Sequence, residues 1–133
     1  MRRNSIWVIL LFMATTISFT GCGKLQTEIV QTSYLLNTDD TGGPYRVITL
    51  VTGDARPITV SVVYSTDSWK TNKTIEMTEM SDEVYVGQIP GQPAKTTVNY
   101  YITVTDSEDN TSSDPVVAPP DAKGSSYRFQ ILP

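Results

Sequence analysis

Two stretches of strict alternation constrain this chain more than anything else in it. Ile58, Val60, Val62 and Tyr64 fall on one side of an extended segment and Thr59, Ser61 and Val63 on the other; Val98, Tyr100, Ile102 and Val104 alternate in the same way with Asn99, Tyr101, Thr103 and Thr105. Strand side chains point to opposite faces with a period of two, so each stretch predicts a strand with one buried face. Tyr127, Phe129 and Ile131 repeat the pattern around Arg128 and Gln130. Shorter candidates cover 29–36, 46–52, 73–77 and 84–89. Between them stand Thr52-Gly53-Asp54, Asp67-Ser68, Ser81-Asp82, Pro90-Gly91-Gln92-Pro93, the acidic stretch 106–110 and the stretch 115–124. Turn chemistry thus recurs roughly every 8 to 15 residues, and no segment of helical length shows an uninterrupted apolar stripe. About seven strands in roughly 90 residues predict an all-β, two-sheet antiparallel sandwich, because an up-and-down barrel would need longer and more even strands.

The chain has 133 residues, enough for one domain, with no histidine and one cysteine. That composition excludes histidine-built zinc sites, Ser-His-Asp triads, Cys-His pairs and disulfide frameworks, and no cofactor is expected. Acids outnumber bases 14 to 10, and Arg46, Arg56, Lys70, Lys73, Lys95, Lys123 and Arg128 are scattered along the chain. Nucleic acid is therefore not an expected partner, since phosphate binding needs clustered cations.

The N-terminal segment is built differently. Arg2 and Arg3 precede the unbroken apolar run of residues 6–14, the form of an export signal, and the run is shorter than the roughly 20 residues needed to span a bilayer. It ends in Phe19-Thr20-Gly21-Cys22, which resembles the lipobox of bacterial lipoproteins, with phenylalanine in place of the usual leucine. The resemblance implies that residues 1–21 are removed by a peptidase recognising Phe19, Thr20 and Gly21, and that Cys22 carries a diacylglyceryl group. Two or three acyl chains, at about 0.8 kcal/mol per buried methylene, anchor a protein stably to a membrane. Removal of 1–21 takes Arg2 and Arg3 and no acid, moving the net charge from −4 to −6. The expected location is the bacterial cell envelope, outside the cytoplasm, with Gly23 after the cysteine favouring the outer membrane of a diderm. Residues 22–44 then form a tether with a first strand, and 45–133 the sandwich.

The run Val60-Ser61-Val62-Val63-Tyr64-Ser65-Thr66-Asp67-Ser68-Trp69, with Thr74-Ile75-Glu76-Met77, Val84-Tyr85-Val86-Gly87-Gln88-Ile89-Pro90 and Thr97-Val98-Asn99-Tyr100-Tyr101-Ile102-Thr103-Val104-Thr105-Asp106, resembles the Ig-like, fibronectin type III-like modules of secreted bacterial proteins. Asp109-Asn110 stands where those modules carry a Gly-Asn turn. The resemblance spans residues 45–132 and implies an Ig-like fold serving as spacer, adhesion unit or appended domain, with no single ligand.

Several residues invite a chemical role. Trp69, with Asp67, Asn72 and Tyr64 near it in sequence, has the make-up of a sugar-stacking site, and equally of an aromatic plug at a sandwich edge. Asp106, Glu108, Asp109, Asn110 and Asp114 gather oxygen ligands in one loop suited to calcium, although without EF-hand spacing, so that a solvated turn explains them as well. The acidic pairs Glu76 with Glu79 and Asp82 with Glu83 fall in what reads as a hairpin, with Met77 and Met80 between, whereas a glycosidase dyad needs two carboxyls flanking a cleft with one of them desolvated. Tyr100 is expected in the core and Tyr101 on the outer face of the same strand. Together these readings predict a non-catalytic, lipid-anchored module whose partner is a cell-envelope protein or glycan. Carbohydrate binding around Trp69 and service as an accessory subunit of a secreted hydrolase are the alternatives.

Overall fold

The computed structural model describes residues 27–108, 110–114 and 126–133. They form nine strands: β1 (Glu28–Thr32), β2 (Tyr45–Thr52), β3 (Thr59–Ser65), β4 (Lys73–Glu76), β5 (Thr78–Ser81), β6 (Val84–Ile89), β7 (Thr97–Thr105), β8 (Thr111–Asp114) and β9 (Tyr127–Gln130). One sheet has the order β1-β2-β6-β5; the other runs β4-β3-β7-β8, with β9 also on β7. Every pairing between these strands is antiparallel, and the two sheets enclose one core. The two-sheet antiparallel sandwich expected from the alternation is what forms.

Nine strands appear where seven are expected because β5 and β8 lie outside the segments that the sequence marks as strands. Residues 73–81 divide at Met77, whose buried side chain enters the core while its amide donates to the Val60 carbonyl at 2.7 Å. The chain there passes from one sheet to the other. Gly87 makes room for the passage: a Cβ at this position would lie 3.0 Å from Met77 Cγ and 3.1 Å from Val62 Cγ1. The last edge strand divides too. β8 pairs with residues 102–105 of β7 and β9 with residues 97–100, so both run along one edge of β7 in the same direction. β8 consists of Thr111, Ser112, Ser113 and Asp114, and with no apolar residue it carries no alternation to detect.

The first strand ends earlier than expected and its continuation changes sheets. β1 pairs with β2 only as far as Thr32, and Thr38 then bridges Ile131 in parallel in the other sheet. There the Thr38 amide donates to the Gln130 carbonyl (3.0 Å), the Leu132 amide to the Thr38 carbonyl (2.7 Å), and the Gln130 amide to Asn37 Oδ1 (2.8 Å). Between the two pairings, the fully buried Tyr100 donates its hydroxyl proton to the Ser33 carbonyl (2.9 Å) and accepts from the Leu35 amide (3.2 Å). At the start of β1, Thr27 is buried and its hydroxyl donates to Asp106 Oδ2 at 3.3 Å. The chain from Thr27 onward is therefore part of the sandwich.

Inward residues of both sheets meet in the core, among them Val47, Val51 and Ile89 from one and Val62, Val98 and Ile102 from the other, all fully buried. Burial of each such side chain contributes about 1.5–3 kcal/mol. Tyr100 packs against Phe129 and Tyr127, with ring centroids 6.2 and 5.2 Å away, and Tyr45 meets Phe129 edge-on at 5.1 Å.

At one end of the sandwich two loops touch backbone to backbone. A Cβ on Gly91 would lie 2.5 Å from the carbonyl oxygens of Thr41 and Gly42, and Gly43 has a left-handed φ of +52°. The Tyr45 hydroxyl joins the same loops, donating to the Asp40 carbonyl (2.6 Å) and accepting from the Gln92 amide (3.2 Å). Because both clashing atoms belong to the backbone, Gly91→Ala must push the loops apart and is expected to cost about 1–3 kcal/mol in urea unfolding. A midpoint equal to wild type would contradict this contact.

Candidate functional site

The Trp69 loop is organised by Ser65 and Asp67. Ser65 Oγ accepts from the amides of Asp67 (3.3 Å) and Trp69 (2.9 Å) and donates to Asp67 Oδ1 (2.8 Å). Asp67 in turn accepts the Thr71 amide on Oδ1 (2.9 Å) and the Thr71 hydroxyl on Oδ2 (2.6 Å). These bonds, those from Thr71 foremost and those from Ser65 next, hold the Asp67 carboxyl down to about 2. They also hold Ser68 and Trp69 at left-handed φ values of 58° and 66°, a conformation that side chains disfavour.

Held this way, Trp69 is half-buried and leans on Tyr101, ring centroids 5.4 Å apart and planes inclined by 43°. Tyr101 lies on the outer face of β7 directly across from Val63, which is buried outside the main core. One side of the indole is thus occupied by an aromatic neighbour, and the indole Nε1 is buried without a hydrogen-bond acceptor. The other residues near Trp69 in sequence are dispersed. Tyr64 is buried in the core, the Asp67 carboxylate is committed to its own loop, and Asn72 lies exposed beside Thr71 on a shallow recess of about 30 Å³.

The acidic loop is likewise internally satisfied. Asp106 is buried, and its Oδ1 accepts the amides of Glu108 (2.9 Å) and Asn110 (3.0 Å), while the Asn110 side-chain amide contacts both oxygens and Thr27 contacts Oδ2. Burial pushes this carboxyl up, but the donors from Glu108, Asn110 and Thr27 outweigh it and its pKa is lowered. Among the described residues no group of three or more acids or cysteines is placed to hold a metal ion. Asp109 and the Asp114 side chain lie outside the described residues, as do Phe19, Thr20, Gly21 and Cys22. Glu76, Glu79 and Asp82 are exposed, which leaves none of them desolvated as a glycosidase acid must be.

A further surface is not among the sequence candidates. On the outer face of the β1-β2-β6-β5 sheet, Ile48 stands opposite Val86 and Leu50 opposite Val84. Ile48 is exposed, the other three are half-buried, and Val30 and Met80 are exposed on the flanking strands. A shallow recess of about 240 Å³ lies over Gln31, Ser33, Ile48, Leu50 and Val84. The signal was present in the sequence: Val47-Ile48-Thr49-Leu50-Val51 is apolar at nearly every position, and a strand that does not alternate is a strand covered on both faces.

Comparison with protein-family models and with curated proteins finds no match to this chain.

The Asp67 network has a pH signature. Its carboxyl titrates at about 2 in the fold against 3.8 for an ordinary aspartate. The stabilisation is therefore complete above the unfolded value and lost as pH falls toward about 2. In a chain lacking residues 1–21, Trp69 is the one tryptophan, and its emission is expected to hold steady down to about pH 4 and change between about pH 4 and 2. Asp67→Asn should shift the emission at neutral pH, and an emission unchanged by either treatment would contradict the network.

Proposed function

We propose that the protein is a lipid-anchored, extracytoplasmic Ig-like module of the bacterial cell envelope, working through protein interaction or as a scaffold and catalysing no reaction. The strand order supports the Ig-like part of this reading. Constant-type Ig sandwiches place strands A, B, E and D in one sheet and C, F and G in the other. Taking β1, β2, β3, β5, β6 and β7 as A to F and the divided β8 and β9 as G reproduces that order, with β4 as one added edge strand.

The lipobox-like Phe19-Thr20-Gly21-Cys22 supports the anchor, and the fold sets its consequence. Only residues 23–26 separate Cys22 from the buried Thr27, so at about 3.3–3.6 Å per residue the start of β1 lies within about 20 Å of the lipidated residue. The end of the sandwich carrying Thr27 and the 106–110 turn would then be the end nearer the bilayer.

The observation that carries the interaction reading is the apolar outer face around Ile48, Leu50, Val84 and Val86. A solvated antiparallel sheet shows polar residues on its outer face, whereas a cluster of branched apolar residues there marks a surface that another molecule covers. Trp69, half-buried against Tyr101, offers less to a sugar than this face offers to a protein.

Two measurements on the full-length protein in its host test the reading. Cys22→Ser should leave the protein unprocessed or soluble, and continued membrane attachment after loss of residues 1–21 would overturn the anchor. A photo-crosslinking phenylalanine analogue in place of Ile48 should give one discrete adduct in cells, while the same analogue in place of Thr103 on the opposite sheet should not. Uncrosslinked protein alone at both positions would overturn the interaction role.

A further inference from the structure

The side of the sandwich where β4 and β5 lie is open in a particular way. β4 has β3 as its single neighbour and is the last strand of its sheet. The Met77 amide bonds to the Val60 carbonyl, which makes that pair hydrogen-bonded in the antiparallel ladder. Alternation then turns the amides and carbonyls of Lys73 and Ile75 toward β3, and those of Thr74 and Glu76 away from it. The other sheet is also incomplete on this side. The Val51 amide bonds to the Glu83 carbonyl, so the backbone of Val84, Val86 and Gln88 faces β5, yet β5 pairs no farther along β6 than Val86.

Between these two open edges runs a groove of about 450 Å³, lined among others by Ile75, Glu76, Met80, Val86, Gly87 and Gln88. Ile75, Met80 and Val86 give it apolar walls beside the polar Glu76, Thr78 and Gln88, Gly87 contributes no side chain, and Met80 is an adaptable and largely exposed thioether. Glu76, exposed at the end of β4 next to the crossing at Met77, puts a carboxylate in the groove wall.

We infer that this edge is a docking site for an extended, basic polypeptide segment, which adds to β4 as a further antiparallel or parallel strand and sets alternate apolar side chains into the groove. Strand addition needs a row of free backbone groups for affinity and a pocket at every second side chain for selectivity, and the β4 edge and groove supply both. Thr74 and Glu76 offer the backbone partners over the roughly 13 Å length of β4. Glu76, the one acid lining the groove among the described residues, selects basic residues at the positions between the apolar ones. The inference rests on the protein-interaction reading and gives it a partner chemistry at an edge that shares only Val86 with the Ile48 face.

The test uses isotope-labelled protein from residue 22 onward with serine at position 22, which contains every residue of the described fold, and a short synthetic peptide of alternating lysine and valine. Saturable amide shifts are expected in β4, β5 and residues 86–88, with slowed exchange at the Thr74 and Glu76 amides. Glu76→Lys should weaken binding at least fivefold. Thr74→Pro, which removes an amide that the β3–β4 ladder does not use, should abolish it while the β7 resonances stay in place. A glutamate-valine peptide should not bind. Absence of saturable shifts, equal binding of both peptides, or shifts centred on the Trp69 loop or the Ile48 face would overturn the proposal. Shifts at Ile48 would do so while leaving the interaction reading standing; an edge that binds peptide in a protein with no cellular crosslink would do the reverse.

Discussion

The Tyr100 hydroxyl, carried on a ring with no exposure to solvent, ties the core of one sheet to the stretch of chain that leaves the other. A buried phenol left unpaired would cost about 1–3 kcal/mol, and so would the Ser33 carbonyl and Leu35 amide were they buried without it. Satisfying all three at once fixes where the first strand must turn. From that turn follow the parallel bridge of Thr38 to Ile131, the packing of the C-terminal strand against Tyr45 and Tyr100, and the closure of this side of the sandwich. Among the described residues the opposite side has no such strap. There the chain crosses between sheets at Met77, and the groove beside β4 stays open.

Period-two alternation was strong enough to place β3, β7 and β9 and to separate Tyr100 from Tyr101, because each of these strands has one face in the core and one outside it. The same rule is silent where its premise fails. Thr111–Asp114 borders β7 with hydroxyls and an acid on both faces, so nothing in its pattern separates a strand from a turn. The candidate strand 73–77 stops short of β5, whose start after Met77 is made by burial of a single side chain, a tertiary event. The switch of the first strand rests on a hydrogen bond between residues 65 and 67 positions apart, which no local signal encodes.

Candidate sites show the same division between local chemistry and long-range placement. Asp67 and Asp106 look like ligand donors in the sequence, and both are anchors of their own loops, their oxygens filled by hydroxyls and amides within four residues and, for Asp106, by Thr27. An acid in a turn is most easily satisfied by the turn itself. Tyr64 and Trp69 stand five residues apart, but one faces the core and the other the outer surface. The apolar run 47–51 marks one strand of the outer face built by Ile48, Leu50, Val84 and Val86, but the face is assembled only when β2 and β6 pair in register. It lies on the two central strands of its sheet, β2 and β6.

The most direct test of this account is amide hydrogen exchange in the wild type and in Tyr100→Phe. The account predicts that the Leu35, Thr38 and Leu132 amides of the wild type exchange as slowly as those of the core strands. In Tyr100→Phe the Leu35 amide should accelerate roughly 5- to 100-fold beyond any change at Val62, the range set by the loss of one buried hydrogen-bond partner. A wild-type Leu35 amide exchanging at the rate of an unstructured peptide would contradict it, because the segment after β1 would then be a loose tether and the sandwich would have to hold together without it.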